Sequence, residues 1–173
     1  IKKVKKVAEE MGYRPNTLAA GLRGNNTKII GVLISRINRP FISSLISGIE
    51  ETDQKAGYSV MITQSHDSYT DEVNLAEALY SSRVCGLICS LAMEKRDVSH
   101  FQKFIDKNIP LVFVDRVPRE FDTYRVMIDN YSAGYKATKH LIDQGCKRIA
   151  HLTGSQHRNT YSERKRGYTD ALI

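Results

Sequence analysis

At 173 residues the chain is long enough for one domain with its own core, with room for appended arms. Its net charge of +7 is unevenly placed: residues 1–28 carry seven Lys/Arg against two Glu, while the remainder carries 19 basic and 17 acidic groups. The basic character therefore belongs to the N-terminal segment, which favours a polyanion meeting that segment over a protein coated in charge; the plainer reading is a solvated helix face. Three cysteines, an odd number, fit a reduced cytoplasmic protein better than a disulfide framework, and no apolar run reaches the roughly 18 residues of a membrane span, so no membrane partner is expected.

In chain order, Ile1, Val4, Val7, Ala8 and Met11 form one apolar stripe, with Lys2, Lys3, Lys5 and Lys6 on other faces and Gly12 as a stop. Such a short amphipathic helix cannot build a core alone, so its partners are expected upstream. Residues 13–28 form a junction. Asn16 can cap a helix beginning Thr17-Leu18-Ala19, with Pro15 fixing the approach. About two turns precede Gly24-Asn25-Asn26, far below the roughly 12 to 15 residues an isolated helix needs, and Gly21 costs about 1 kcal/mol relative to Ala. The helix is expected to form only against a partner that covers Leu18 and Leu22, which lie one turn apart among Ala19, Ala20 and Gly21.

Beyond the junction, residues 29–34 read as a strand buried on both faces. Ile42, Leu45, Ile46, Ile49 and Ala56 mark a helix ending at Gly57. A strand over 58–63 and a helix marked by Val73, Leu75, Ala76 and Leu79 follow. The unit repeats: strand 84–89, helix 98–107, strands 111–114 and 125–128, helix 131–144, strand 149–152, and a last helix from about Ser162 that contains Ile173. The alternation predicts a right-handed, doubly wound α/β architecture with a parallel sheet. Polar segments 64–70 and 118–123 read as loops, and Cys85 and Cys89, four apart in a predicted strand, read as core fillers rather than zinc ligands.

Ligands of a parallel sheet gather beyond the carboxyl ends of its strands. The loops there hold Asn38, Arg39 and Phe41; Gln64, His66 and Asp67; Asp115 and Arg116; Asp129; and Arg158, Asn159 and Thr160. Carboxylates and guanidinium groups that bond in pairs, with an aromatic ring for stacking, suit a small polar ligand such as a sugar or nucleobase. Plainer readings stand beside these: Phe41 stapling the next helix to the sheet, Asp129 as a structural carboxylate at a crossover, His66 solvated, and Asp115 paired with Arg116. No nucleophile elbow, phosphate-binding glycine loop, zinc helix or dinucleotide fingerprint is present, so neither an enzyme nor a cofactor is expected.

The order of basic helix, Gly-Tyr-Arg-Pro-Asn, small-residue helix ending in Leu22-Arg23, polar linker and Ile-Gly-Val-Leu-Ile resembles the hinge of the LacI/GalR family of bacterial transcription regulators. The resemblance continues through Asn38-Arg39-Pro40-Phe41, Gly48-Ile49-Glu50, Gly57-Tyr58, Arg83-Val84 with Gly86-Leu87-Ile88, residues 110–116, Asp129-Asn130, Gly134-Tyr135, and Arg164 with Gly167-Tyr168. It implies a periplasmic-binding-protein-like fold. Residues 1–12 would be the third helix of a helix-turn-helix headpiece, 13–28 the hinge helix and linker, 29–129 a first lobe and 130–173 the start of a second, all part of a longer molecule.

The resemblance further implies a homodimeric repressor that sets two hinge helices in the minor groove of operator DNA. Tyr13, Asn16, Thr17, Ala19, Leu22 and Arg23 would be the DNA-binding residues, with Leu22 wedged between base pairs. A sugar-like effector between the lobes would meet Asn38, Phe41, Asp67, Asp115, Asp129, Arg158 and Thr160, with Arg158 at the position that commonly grips it. Ala20 and Gly21 stand where Arg-Ser is more usual, which removes one phosphate contact and loosens the helix. A solute-binding transport receptor of the same fold is the rival reading, and a sugar- or nucleotide-processing enzyme on the same scaffold is a second.

Overall fold

The structure is a computed structural model that describes residues 2–13, 27–94, 97–118 and 121–173. The predicted hinge helix, and with it Asn16, Thr17, Ala19, Leu22 and Arg23, lies outside the described residues. Helix α1 spans Lys2–Glu10 and stops at Gly12, whose φ of 65° suits glycine. Its stripe residues Val4, Val7 and Met11 are exposed, as is Tyr13.

Strand β1 (Ile29–Ile34) leads the α/β body, followed by α2 (Pro40–Lys55), β2 (Ser59–Gln64), α3 (Tyr69–Ser81), β3 (Gly86–Cys89), a single 3-10 turn at Ser99–Phe101 running into α4 (Gln102–Asp106), β4 (Leu111–Val114), β5 (Tyr124–Val126), α5 (Asn130–Asp143) and α6 (Asn159–Ala171). The five strands form one parallel sheet in the order β2-β1-β3-β4-β5. The strand order reverses between β1 and β3, which opens a crevice at the carboxyl end.

Alternation along β1 builds the two faces of the core. Leu33 joins Leu79 and Ala76 of α3, Leu87, Cys89, Phe101, Phe104 and Phe113 on one side. Val32 and Ile34 meet Ile42 and Ile46 of α2 on the other. The first cluster is locked by edge-on rings, with Phe101 and Phe113 centroids 5.2 Å apart. Gly31 fits between Leu79 and Leu87, either of which would stand 3.3 Å from an added Cβ.

Several sequence expectations need correction. Residues 149–152 form no strand, and Leu152 is 97% exposed. Their apolar character is strand-like, but a strand needs a neighbouring edge for its peptide groups, and among the described residues none is offered. The segment is instead tied to α6 by the Tyr168 hydroxyl, which donates to the Ile149 carbonyl at 2.8 Å. Helix α3 starts at Tyr69, inside the expected loop, because Ser68 caps it by accepting from the Asp71 N–H. Helix α6 begins three residues earlier than expected and ends at Ala171, before Ile173. The expected helix 98–107 is mostly one turn of 3-10 helix followed by a five-residue α-helix, and β5 stops two residues short of its predicted end at residue 128.

Helices α5 and α6 touch backbone to backbone. A Cβ on Gly134 would collide with the Arg164 carbonyl, and one on Gly167 with the Tyr131 carbonyl and, at 2.7 Å, with the Tyr135 nitrogen. This close approach fixes where α6 presents its side chains.

Candidate functional site

The carboxyl ends of β1, β2, β3 and β4 and the first turns of α6 enclose a recess of about 350 Å³. Ser35 follows β1, Asp67 follows β2, Met93 follows β3, and Asp115 and Arg116 follow β4. Arg39 and Phe41 come from the start of α2, and Thr160, Tyr161 and Arg164 from α6.

The backbone turns sharply to aim these groups. His66, Asp67 and Asp115 have φ of 50°, 68° and 59°, a left-handed region that Asp tolerates better than most residues. Asp67 Oδ1 accepts from Arg116 Nη1 at 2.7 Å, and its Oδ2 lies 3.8 Å from Arg36 Nε. The carboxylate thus anchors a guanidinium that is almost wholly buried. Arg164 is held by its Nε donating to Asn130 Oδ1 at 2.8 Å. Burial pushes the Asp115 carboxyl above the usual carboxylate range, and the charges of Arg116 and Arg164 pull it partly back.

A network of polar contacts braces the recess. The Asn159 side-chain amide donates to the Asp115 carbonyl at 2.9 Å and accepts from the Val117 N–H at 3.1 Å, fastening the β4 loop to α6 as a neighbouring strand would. The loop after β3 is fixed from two directions. Glu72, buried on α3, accepts from the Ala92 N–H and lies 3.2 Å from His100 Nε2. The Met93 carbonyl accepts from His157 Nε2 at 2.6 Å, which leaves His157 Nδ1 to accept from the Ser155 hydroxyl.

Of the seven effector candidates, the recess gathers Phe41, Asp67, Asp115 and Thr160. Phe41 is 56% exposed, so it does not staple α2 to the sheet. Asp115 does not pair chiefly with Arg116, whose partner is Asp67. Asn38 sits exposed in the turn after β1, outside the lining. Asp129 lies outside the lining and caps α5 by accepting from the Ser132 N–H at 2.8 Å. Arg158 is buried, and its Nη2 donates to the Glu94 carbonyl at 2.6 Å instead of reaching the recess. Arg39 and Arg116, both visible as strand-end residues, line the recess, and Arg164, Tyr161, Met93 and Ser35 join them. Of these last four only Arg164 carried a signal, its place in the motif with Gly167.

The lining combines two carboxylates, three guanidinium groups and two aromatic rings. Such a set recognises a small polar molecule by paired hydrogen bonds and ring contact. Parallel sheet, crevice and lining together define a periplasmic-binding-protein-like ligand-binding body.

Residues 27–173 match the family of periplasmic binding proteins and sugar-binding domains of the LacI family. The chain belongs to that family. It is 31% identical over 176 residues to the HTH-type transcriptional repressor PurR of Aliivibrio fischeri, with 99% of this chain and 51% of the relative covered. It is 32% identical over 173 residues to the ribose operon repressor of Haemophilus influenzae, covering 98% and 50%. The chain thus spans about half the length of the curated relatives it matches. Among solved structures, a periplasmic binding protein/LacI transcriptional regulator from Alkaliphilus metalliredigens complexed with D-xylulofuranose superimposes with a TM-score of 0.73 at 27% identity, covering 84% of this chain and 52% of that one.

Proposed function

We propose that the chain is part of a cytoplasmic, homodimeric transcriptional repressor whose affinity for operator DNA is set by a small, sugar-like effector in the recess. In this reading residues 1–12 close a helical headpiece, 13–28 are the hinge, 29–129 the first lobe and 130–173 the start of the second. The observation that carries it is the composition of the recess wall: strand-end loops of the sheet and the first turns of α6 face one space. A ligand there touches both units and so fixes their relation.

Asp67 and Asp115 would accept from sugar hydroxyls, Arg39, Arg116 and Arg164 would donate, Phe41 and Tyr161 would pack on the ring face, and Thr160 would add a hydroxyl. Asn38, Asp129 and Arg158 would serve as supports around them. Binding energy at the recess is linked reciprocally to DNA affinity, by a coupling of order 1 to 3 kcal/mol in comparable systems. Similarity to proteins named as repressors, and the basic segment leading into β1, support this reading over transport or catalysis.

The test is a fluorescence-anisotropy titration of the full-length protein against its own promoter DNA across a salt series, with and without candidate sugars. Tight, salt-steep binding that one sugar shifts is the expected result. Sugar binding with no specific DNA binding at any salt would overturn it in favour of a solute receptor.

A further inference from the structure

At the opposite, amino end of the sheet lies a second recess, of about 470 Å³, between the last turn of α3 and the turns that enter β3 and β4. Arg83 and Lys107 both line it and both are exposed. Among the described residues neither is within ion-pair distance of a carboxylate. Among the described residues the one acid in the wall is Glu77, and it is already neutralised by Lys103, whose ammonium bonds it and lowers its pKa.

Cations at helix ends commonly do no more than offset the helix dipole. Here that explanation leaves a remainder: each helix C-terminus supplies roughly half a negative charge, so two full cations leave about one positive charge over. The backbone adds a second sign. Helices α1, α2 and α5 end on left-handed glycines, Gly12, Gly57 and Gly145, and α4 on Asn108 (φ 54°), which tolerates that region, but α3 ends on Arg83 (φ 55°). A left-handed arginine costs about 1 kcal/mol that glycine would not, and among the described residues no hydrogen bond, ion pair or ring contact holds the Arg83 side chain. Tyr80 and Ile109 supply apolar surface in the same recess.

We propose that this recess is a second small-molecule site, for a phosphorylated organic compound whose phosphate lies between Arg83 and Lys107 and whose apolar part lies against Tyr80 and Ile109. The site touches the point where the chain enters the sheet. The Arg83 carbonyl accepts from the Thr27 hydroxyl, and the Cys85 N–H, two residues on in the same wall, donates to the Ile29 carbonyl at 2.8 Å. An occupant therefore stiffens the anchor of residues 27–29 and regulates the segment before it. That consequence rests on the DNA-binding reading; the binding itself does not.

Cys85 reports on occupancy, since it is half-buried in the recess wall while Cys146 is exposed elsewhere. The rate of iodoacetamide modification at each cysteine of the full-length protein is followed by peptide mass spectrometry, in phenyl phosphate and in sodium chloride of equal ionic strength. The expected result is saturable protection of Cys85, about five-fold at four times the dissociation constant as one-site occupancy requires, with Cys146 unaffected. Arg83→Gly, which suits the backbone there, and Lys107→Ala each abolish the protection while leaving the fold intact by circular dichroism. Equal Cys85 rates in the two salts, equal slowing of Cys146, or protection that survives both substitutions would overturn the proposal. So would protection by promoter DNA with none by phenyl phosphate, which would give the two cations to the duplex backbone. Because no step of the thiol assay needs DNA, failure here and failure of the repressor reading are separable.

Discussion

Asp67 and Arg116 are joined at 2.7 Å across the carboxyl end of the sheet, although their strands, β2 and β4, are separated by both β1 and β3. One ion pair thus bridges the crevice that the strand order opens. Arg116 is almost wholly buried and Asp67 is 29% exposed at its side chain. Asp67→Ala is expected to destabilise the protein by about 2 kcal/mol, below the 3 to 5 kcal/mol of a fully buried broken pair because water reaches the carboxylate side. Urea unfolding measures this, and effector affinity should fall alongside it; unchanged stability with intact binding would remove the bridge from the site.

Gly134 and Gly167 let α5 and α6 meet without side chains between them. Alanine at either position forces the helices apart and should cost about 3 kcal/mol, at the upper end for an overpacked contact. The thermal midpoint should drop accordingly. Since the same contact places Thr160, Tyr161 and Arg164, a variant that still folds should bind effector more weakly, readable by calorimetry.

Asp115 gives a pH dependence. Its folded pKa is raised above the ordinary 3.8 by burial, so between the two values the folded state holds more protons than the unfolded one, and stability falls as pH rises through that window. Asp115→Asn removes the titration and tolerates the φ of 59°. The variant should be at least as stable as the parent at neutral pH and show a flatter stability profile just above pH 3.8. A profile identical to that of the parent would show that Asp115 carries no such burden.

Leu22, in the proposed hinge, should act as a wedge between base pairs. Leu22→Ala is expected to weaken specific operator binding by more than about 1 kcal/mol, while Arg23→Ala mainly lowers the salt slope. Anisotropy titrations at several salt concentrations separate the two effects; equal changes in slope and specificity for both variants would sink this division of roles.

Strand β1 was legible because six consecutive apolar residues flanked by polar ones have few other uses, and β4 because four apolar residues lie between Pro110 and Asp115. Residues 149–152, Ile-Ala-His-Leu, are also mostly apolar and form no strand, since local sequence cannot supply a neighbouring edge. At the site, the strand-end position of Asp67 and Asp115 was readable from the alternation alone. The aim of their side chains was not, because it depends on left-handed turns at His66, Asp67 and Asp115 that Asp and His permit but do not dictate. Glu72 illustrates the converse: an acid in the first turn of a helix reads as a solvated dipole partner, yet this one turns inward to the Ala92 N–H and His100.

The lining of the recess proposed for the effector contains two kinds of group. Asp67, Arg116 and Arg164 are each held by a named protein partner, whereas Arg39 and Phe41 project from the exposed start of α2. Replacing a member of the first set disturbs the fold, but replacing one of the second alters chiefly what the recess can grip. Ligand preference can therefore drift between related sequences through Arg39 and Phe41 while the scaffold stays intact, and libraries varied at those two positions are the natural starting point for changing what the recess binds.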